Sequence, residues 1–366
     1  MPIYMDIHQV PGVEALDLAE AHRKDMLIQA EHQCTCMTYW FDVARGVAFC
    51  LIEAPHQGVV EEMHRQSHGL VPNKIIEVDN ALVESFLGRI HDPEDAAISD
   101  NGLKVFSESA VRILLVTEMT DPVLLRHSLG PEKAHELLNR LKTMITAAVS
   151  AHGGREVEYA GKGSIASFSS AAKAVACGVE IQKNLSDGDA GMTGFKIGLH
   201  AGEPVAESDR LFGDTIQLAR YLCTMASNGR IVISSGVKEL LAPDYFPTGQ
   251  DQVMMLSSQD ETLLKSLFRT LEENWQETDF DVAEFGQAVA MSKSGLYRKT
   301  MAFWGLPPNL LLKEFRLDKA RELLKKQSGN ISQTTFDSGF SSPSYFTKCF
   351  KKRFGLLPVM YLDSAR

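Results

Sequence analysis

The end of this chain repeats one motif, a pair of short helices at a tight turn, on either side of a long helix. Residues 281–289 read as a helix, Ala290 and Met291 turn the chain, and Ser292 caps a second helix over 293–304. Leu306-Pro307-Pro308-Asn309 leads into a long helix, about 310–326, with Phe315, Leu317, Ala320, Leu323 and Leu324 spaced along it. The motif then recurs as 332–338, a turn at Gly339, and a helix over 343–354. Ser341 and Ser342 supply caps for that last helix, Pro343 suits its first turn, and Gly355 ends it. Two helix-turn-helix units joined by one long helix predict an all-α double helix-turn-helix domain over 257–366.

The final helix has an apolar seam of Tyr345, Phe346, Cys349 and Phe350, all read as core together with Phe354. Its other face carries Ser342, Ser344, Thr347, Lys348, Lys351 and Lys352. Taken singly, such a helix is most simply an amphipathic one with a solvated basic face. The pairing and the charge argue otherwise. Between 292 and 356 there are 13 Lys/Arg against four Asp/Glu, a local +9, whereas the whole chain is −10, which leaves −19 on the remainder. A basic module on an acidic body points to a polyanion partner.

The phrases MSKSGLYRKTMAFWGLPPNLLLKEFRLDKARELL and GFSSPSYFTKCFKKRFGLLPVMY resemble the AraC/XylS-type DNA-binding domain. The resemblance implies double-stranded DNA as partner. By position it implies Lys293, Ser294, Arg298 and Lys299 on the first recognition helix, and Ser342, Ser344, Thr347 and Lys348 on the second. Arg298 suits a bidentate guanine contact. Lys351, Lys352 and Arg353 suit phosphates. One departure is Thr334-Thr335-Phe336-Asp337 in the scaffold helix, where the family prefers an Ile-Ala pair.

Residues 1–79 read as βαββαβ: strands at 3–8, 36–41, 47–53 and 74–78, helices at 14–32 and 59–68. That order predicts a ferredoxin-like α+β sandwich. Strand parity places Ile3, Met5 and Ile7 under the helices and Tyr4, Asp6 and His8 on the open face. Cys36 with Thr38 and Trp40, and Cys50 with Ala48 and Ile52, are expected to share that open face. His64 and His68 stand at i, i+4 on the second helix, across the sheet. The metal-capable set is therefore His8, Cys36, Cys50, His64 and His68, expected to meet only at an edge or across a subunit boundary. Nickel, zinc or copper suits such ligands, although the spacing matches no standard zinc pattern. The alternative is that these are ordinary surface histidines and a small core cysteine. YMDIHQVPG, DLAEAHRKD, TYWFD, AFCLIEAP and MHRQSHGL resemble a small bacterial ferredoxin-like family with a nickel-binding member. That resemblance implies sensing of a metal ion or small molecule.

Polar, turn-rich residues over 80–110 read as a linker with a short helix at 81–90. The segment 111–250 alternates strands and helices around one sheet, an α/β arrangement. VRILLVTEMTD, AHGGREVEYAGKGSIASF, FKIGLHAGEPV and LFGDTIQLARYL resemble the class III nucleotidyl cyclase homology domain. The family's two metal-binding aspartates fall at Glu118 and Lys162, and its catalytic asparagine and arginine at Gln217 and Tyr221. Lysine cannot ligate a metal ion, and each lost transition-state stabiliser costs about 2.7–4 kcal/mol of barrier. The expectation is a catalytically dead domain that serves for dimerisation.

No apolar run approaches ~18 residues, so no membrane helix is expected. Six scattered cysteines without an export signal read as reduced cytoplasmic thiols. Together these features predict a cytoplasmic, homodimeric regulator of three domains. Two alternatives are an active cyclase or nucleotide-binding regulator, and a plain metal-binding protein.

Overall fold

The computed structural model describes all residues except 161–162, 187–194, 227–228, 243–244, 246–252, 327–328 and 366. Lys162 therefore lies outside the described residues. The first unit runs β1 (Ile3–Gln9), α1 (Ala15–Ile28), β2 (Thr35–Asp42), β3 (Val47–Glu53), α2 (Gln57–Ser67) and β4 (Lys74–Val78). Its strands form an antiparallel sheet in the order β2-β3-β1-β4, the ferredoxin-like arrangement expected.

Both faces of this sheet are buried, and that inverts the expected parity. Tyr4, Ala48, Cys50 and Ile52 lie in one core with Leu18 of α1 and Val60 and Met63 of α2. Met5, Ile7, Trp40, Phe49 and Leu51 belong instead to a core shared with the next unit. The apolar side of β1 thus packs on a second domain, and its Asp6/His8 side lies beneath the helices. A β-bulge between Cys36 and Thr38 breaks the parity of β2, so Cys36 and Trp40 part company.

After α3 (Asn80–Leu87) and a hairpin of β5 (Ala97–Ile98) and β6 (Lys104–Val105) comes the middle unit. It comprises β7 (Arg112–Glu118), α4 (Pro122–Leu129), α5 (Pro131–Ala151), β8 (Arg155–Ala160), β9 (Gly163–Phe168), α6 (Ala171–Ser186), β10 (Lys196–Gly202), α7 (Gly213–Met225), β11 (Ile231–Ile233), α8 (Ser235–Glu239) and β12 (Val253–Met255). The six strands form one sheet in the order β12-β11-β10-β7-β9-β8. Residues of α5 and α6 pack on one face, among them Leu141, Ile145, Val175 and Ile181.

The other face receives α7, whose two sides enter two different cores. Ala219 and Cys223 pack with Met5 and Ile7 of the first unit, while Leu218, Leu222 and Met225 pack with the helices that follow. Gly198 of β10 permits this close seating: a Cβ there would lie 2.8 Å from Cys223 N and closer still to Ala219 O.

The last unit is helical: α9 (Ser258–Asn274), α10 (Val282–Ala288), α11 (Lys293–Trp304), α12 (Pro308–Lys325), α13 (Ile331–Asp337), α14 (Pro343–Phe354) and α15 (Pro358–Ala365). Gly339, at φ 74°, makes the turn between α13 and α14, where a Cβ would meet Arg316 Nε at 2.7 Å. This unit is docked on the middle one. Tyr221 of α7 stacks on Phe268 of α9 with centroids 3.9 Å apart, and Trp304 Nε1 donates to Thr224 Oγ1 at 2.9 Å. Val123 of α4 joins the core of Leu317, Phe346 and Phe350, and Tyr361 Oη donates to the buried Asp121 carboxylate at 3.0 Å.

Candidate metal centre and DNA-reading helices

β1 holds Asp6 and His8 on one side because residues two apart share a face. α2 lies over that side and presents His64 and His68, one turn apart. α1 adds Asp25, placed on the buried stripe with Leu18, Ala19 and His22. Two compact groups result: Asp6, His8, Cys50 and His64, and Asp25, His64 and His68. In each group the donor atoms all lie within 4.8 Å of one another. His8, Cys50, His64 and His68 of the expected set thus meet within one subunit, which corrects the expectation of an edge or intersubunit site. Cys36 does not join them; its thiol points to Met63 Sδ at 4.0 Å. Asp6 and Asp25 were not in the expected ligand set.

The electrostatics are those of a cation site. Burial pushes the Asp6 carboxyl up, but His8 and His64 outweigh it and hold it well below the usual carboxylate range. Burial likewise opposes ionisation of Asp25, and His64 and His68 outweigh it. Burial pushes the His64 ring down, yet Asp25 and Asp6 raise it to about 10. Burial, then Asp6 and Asp25, push the Cys50 thiol far up. His8 Nε2 is buried 3.2 Å from Asp6 Oδ1 without a hydrogen-bond partner. An orphaned imidazole nitrogen beside carboxylate, imidazole and thiol donors fits a borderline divalent ion such as nickel or zinc. Such an ion would replace the protons on His64 and Cys50.

The helical unit presents two basic faces. On α11, Lys293, Ser294, Tyr297 and Arg298 are exposed. Lys299 is half-buried, and its ammonium pairs with Asp260 Oδ1 at 2.7 Å. On α14, Ser344, Lys348, Lys351 and Lys352 are exposed and Thr347 is half-buried. Ser342 is occupied as the N-cap, accepting from Tyr345 N, and Arg353 pairs with Glu314. Tyr345 is 54% exposed rather than core, whereas Phe346 and Phe350 are fully buried. Tyr297 is likewise exposed, at 50%; aromatic residues at helical spacing are normally core, and neither tyrosine follows that rule.

In the middle unit, Glu118 ends β7 half-buried. Gln217 donates to Tyr221 Oη at 2.5 Å, and the same tyrosine is covered by Phe268. The positions where the resemblance places an asparagine and an arginine are therefore engaged with each other and with the helical unit.

Comparison with known proteins finds matches to both ends of the chain. The family described as "Nickel responsive protein SCO4226-like" matches residues 4–78, and "Helix-turn-helix domain" matches 285–364. "Histidine kinase P4" of Formosa agariphila is 42% identical over 106 residues, covering 29% of this chain and 8% of that protein. The "HTH-type transcriptional activator RhaS" of Escherichia fergusonii is 32% identical over 88 residues, covering 23% of this chain and 32% of that protein. The chain thus spans a third or less of the length of these relatives. Among solved structures, the guanylyl cyclase Cya2 is similar at 21% identity, 38% of this chain, 87% of that chain and a TM-score of 0.31. The C-terminal unit is an AraC-type helix-turn-helix domain, the N-terminal unit is SCO4226-like, and the middle unit is α/β. Among the described residues no helix is long and apolar enough to cross a membrane.

Proposed function

We propose that this chain is a sequence-specific DNA-binding transcription regulator that senses a metal ion, nickel or zinc, through its N-terminal unit. The observation that carries the reading is the joining of two ends. Buried donors converge on His64, and exposed donors and cations line α11 and α14. Lys293, Ser294, Arg298, Ser344, Thr347 and Lys348 read bases, and Lys351 and Lys352 meet phosphates. The domain limits are 1–79, 111–250 and 257–366, with 80–110 connecting the first two. The protein works as a homodimer in the cytoplasm, where its DNA is.

The middle unit acts as a scaffold and not as a cyclase. Tyr221 stands where a cyclase arginine would stabilise the transition state, and it is spent on packing against Phe268. Coupling runs through β1 and α7. Asp6 and His8 are themselves metal donors, while Met5 and Ile7 on the other side of β1 share a core with Ala219 and Cys223 of α7. Leu218 and Leu222 of the same helix pack on the DNA-binding unit.

The test is a DNA-binding titration of the full-length chain at moderate salt, on a site chosen by binding selection, with and without Ni²⁺, Zn²⁺, ATP and GTP. A metal-dependent change in affinity for the selected site is expected. Absence of sequence preference, or a metal-blind affinity, would overturn the reading. Cyclic nucleotide formed from ATP or GTP with Mg²⁺ or Mn²⁺, and abolished by Glu118→Ala, would overturn the scaffold role.

A further inference from the structure

His64 belongs to both donor groups, and its two ring nitrogens face opposite sides. Nε2 lies 2.9 Å from Asp6 Oδ2. Nδ1 lies 3.2 Å from Asp25 Oδ1 and 3.1 Å from His68 Nε2. From this geometry we infer that the pocket takes two divalent transition-metal ions, bridged by the His64 ring as an imidazolate. One ion is held by Asp6, His8, Cys50 and His64 Nε2, the other by Asp25, His68 and His64 Nδ1. The inference rests on the metal-sensing reading and adds the number of ions and the bridge.

The second group has the dimensions of a coordination face. His68 Nε2 is 3.2 Å from Asp25 Oδ1, which closes a nearly equilateral triangle with His64 Nδ1. Donors bonded at ~2.1 Å lie ~3.4 Å apart in a tetrahedral site and ~3.0 Å apart when cis in an octahedral one. The observed edges fall between these values, so one ion fits above the triangle with small side-chain adjustments. In the first group His8 Nε2 and His64 Nε2 flank the two Asp6 oxygens at 3.2 and 2.9 Å, and Cys50 Sγ completes four donors.

A single ion in the first group would leave the remaining His64 N–H donating to Asp25, an outer-shell arrangement, and the second triangle without an ion. With two ions, four positive charges meet four negative ones: two carboxylates, one thiolate and one imidazolate. Both N–H protons of His64 and the S–H proton of Cys50 pass to solvent, and no oxidant or reductant is involved. A small cavity of about 10 Å³ is lined by members of both groups, His8, Cys50, Asp25 and His68.

Reduced, metal-free full-length protein titrated anaerobically with Co²⁺ tests this. Expected are two cobalt ions per chain by metal analysis. A thiolate-to-cobalt absorption band should saturate with the first-group ion only. The low-temperature cobalt EPR signal per ion should fall well below that of the His68→Ala protein, which should hold a single ion. Cys50→Ser should keep binding but lose the thiolate band. One ion per wild-type chain, or two ions with additive EPR signals, would overturn the bridge and leave metal sensing standing. No bound cobalt, nickel or zinc would sink both.

Discussion

Gly198→Ala separates the coupling helix from the sheet without touching a metal donor or a DNA-reading residue. The added Cβ would lie 2.8 Å from Cys223 N, 3.0 Å from Leu222 Cβ and closest to Ala219 O. The first and last of these are helix backbone and cannot rotate away. Restoring a ~3.5 Å separation requires α7 to lift by roughly 1 Å. Overpacking of this kind costs about 1–3 kcal/mol. A lift also loosens the contacts of Ala219 and Cys223 with the first unit and those of Leu218 and Leu222 with the last. In calorimetry the unfolding midpoint should fall by roughly 2–12 °C, taking ~2–4 °C per kcal/mol for a domain of 150–250 residues. Metal stoichiometry should be unchanged, and so should DNA affinity without metal. The effect of Ni²⁺ or Zn²⁺ on DNA affinity should shrink or vanish. An unshifted midpoint together with an intact metal response would refute both the packing argument and the role given to α7.

Arg298→Ala should relax preference at one base pair by about 1–3 kcal/mol, read by a binding selection against the wild type. Lys352→Ala should weaken all sequences alike and reduce the slope of log affinity against log salt by ~1, measured by titration over a salt series. A third prediction concerns pH. Burial holds the His200 ring down at about 4, with Glu261 opposing the shift only in part. Between its unfolded value of ~6.5 and about 4, the unfolded chain binds the proton and the folded chain refuses it. Stability should therefore fall as pH drops through that window, by up to ~1.4 kcal/mol per pH unit from this residue. Urea midpoints at pH 7, 5.5 and 4.5 should show a steeper decline in wild type than in His200→Gln.

The helical periodicity of the last unit was legible because its caps, turns and apolar seams agree: Ser292, Gly339, Ser342 and Gly355 all stand where expected. The parity of β1 was legible as pairs of residues sharing a face, but not as which face meets which partner. Alternation distinguishes a buried side from a wet one. When a second domain covers the apolar side, both sides are buried and the rule loses its reference. Asp25 was recoverable in principle, as a charged residue at i+3 from His22 on the stripe of Leu18 and Ala19. Met26, the next residue, is 39% exposed, so the buried stripe continues through Asp25. The pairing of Lys299 was not legible either, since its partner Asp260 is 39 residues away on another helix.

Only Leu256 and Ser257 separate β12 from α9. Leu256 is buried and its N–H donates to Ile233 O at 3.0 Å, while Ser257 already caps the helix. The reading head is thus bolted to its mount rather than tethered. A tether of flexible residues would let each head search for its own half-site and tolerate variable gaps. A bolted head cannot. Two chains joined through this body would sample one face of the duplex at one pitch, so five extra base pairs between half-sites, about half a helical turn, should be tolerated far worse than ten.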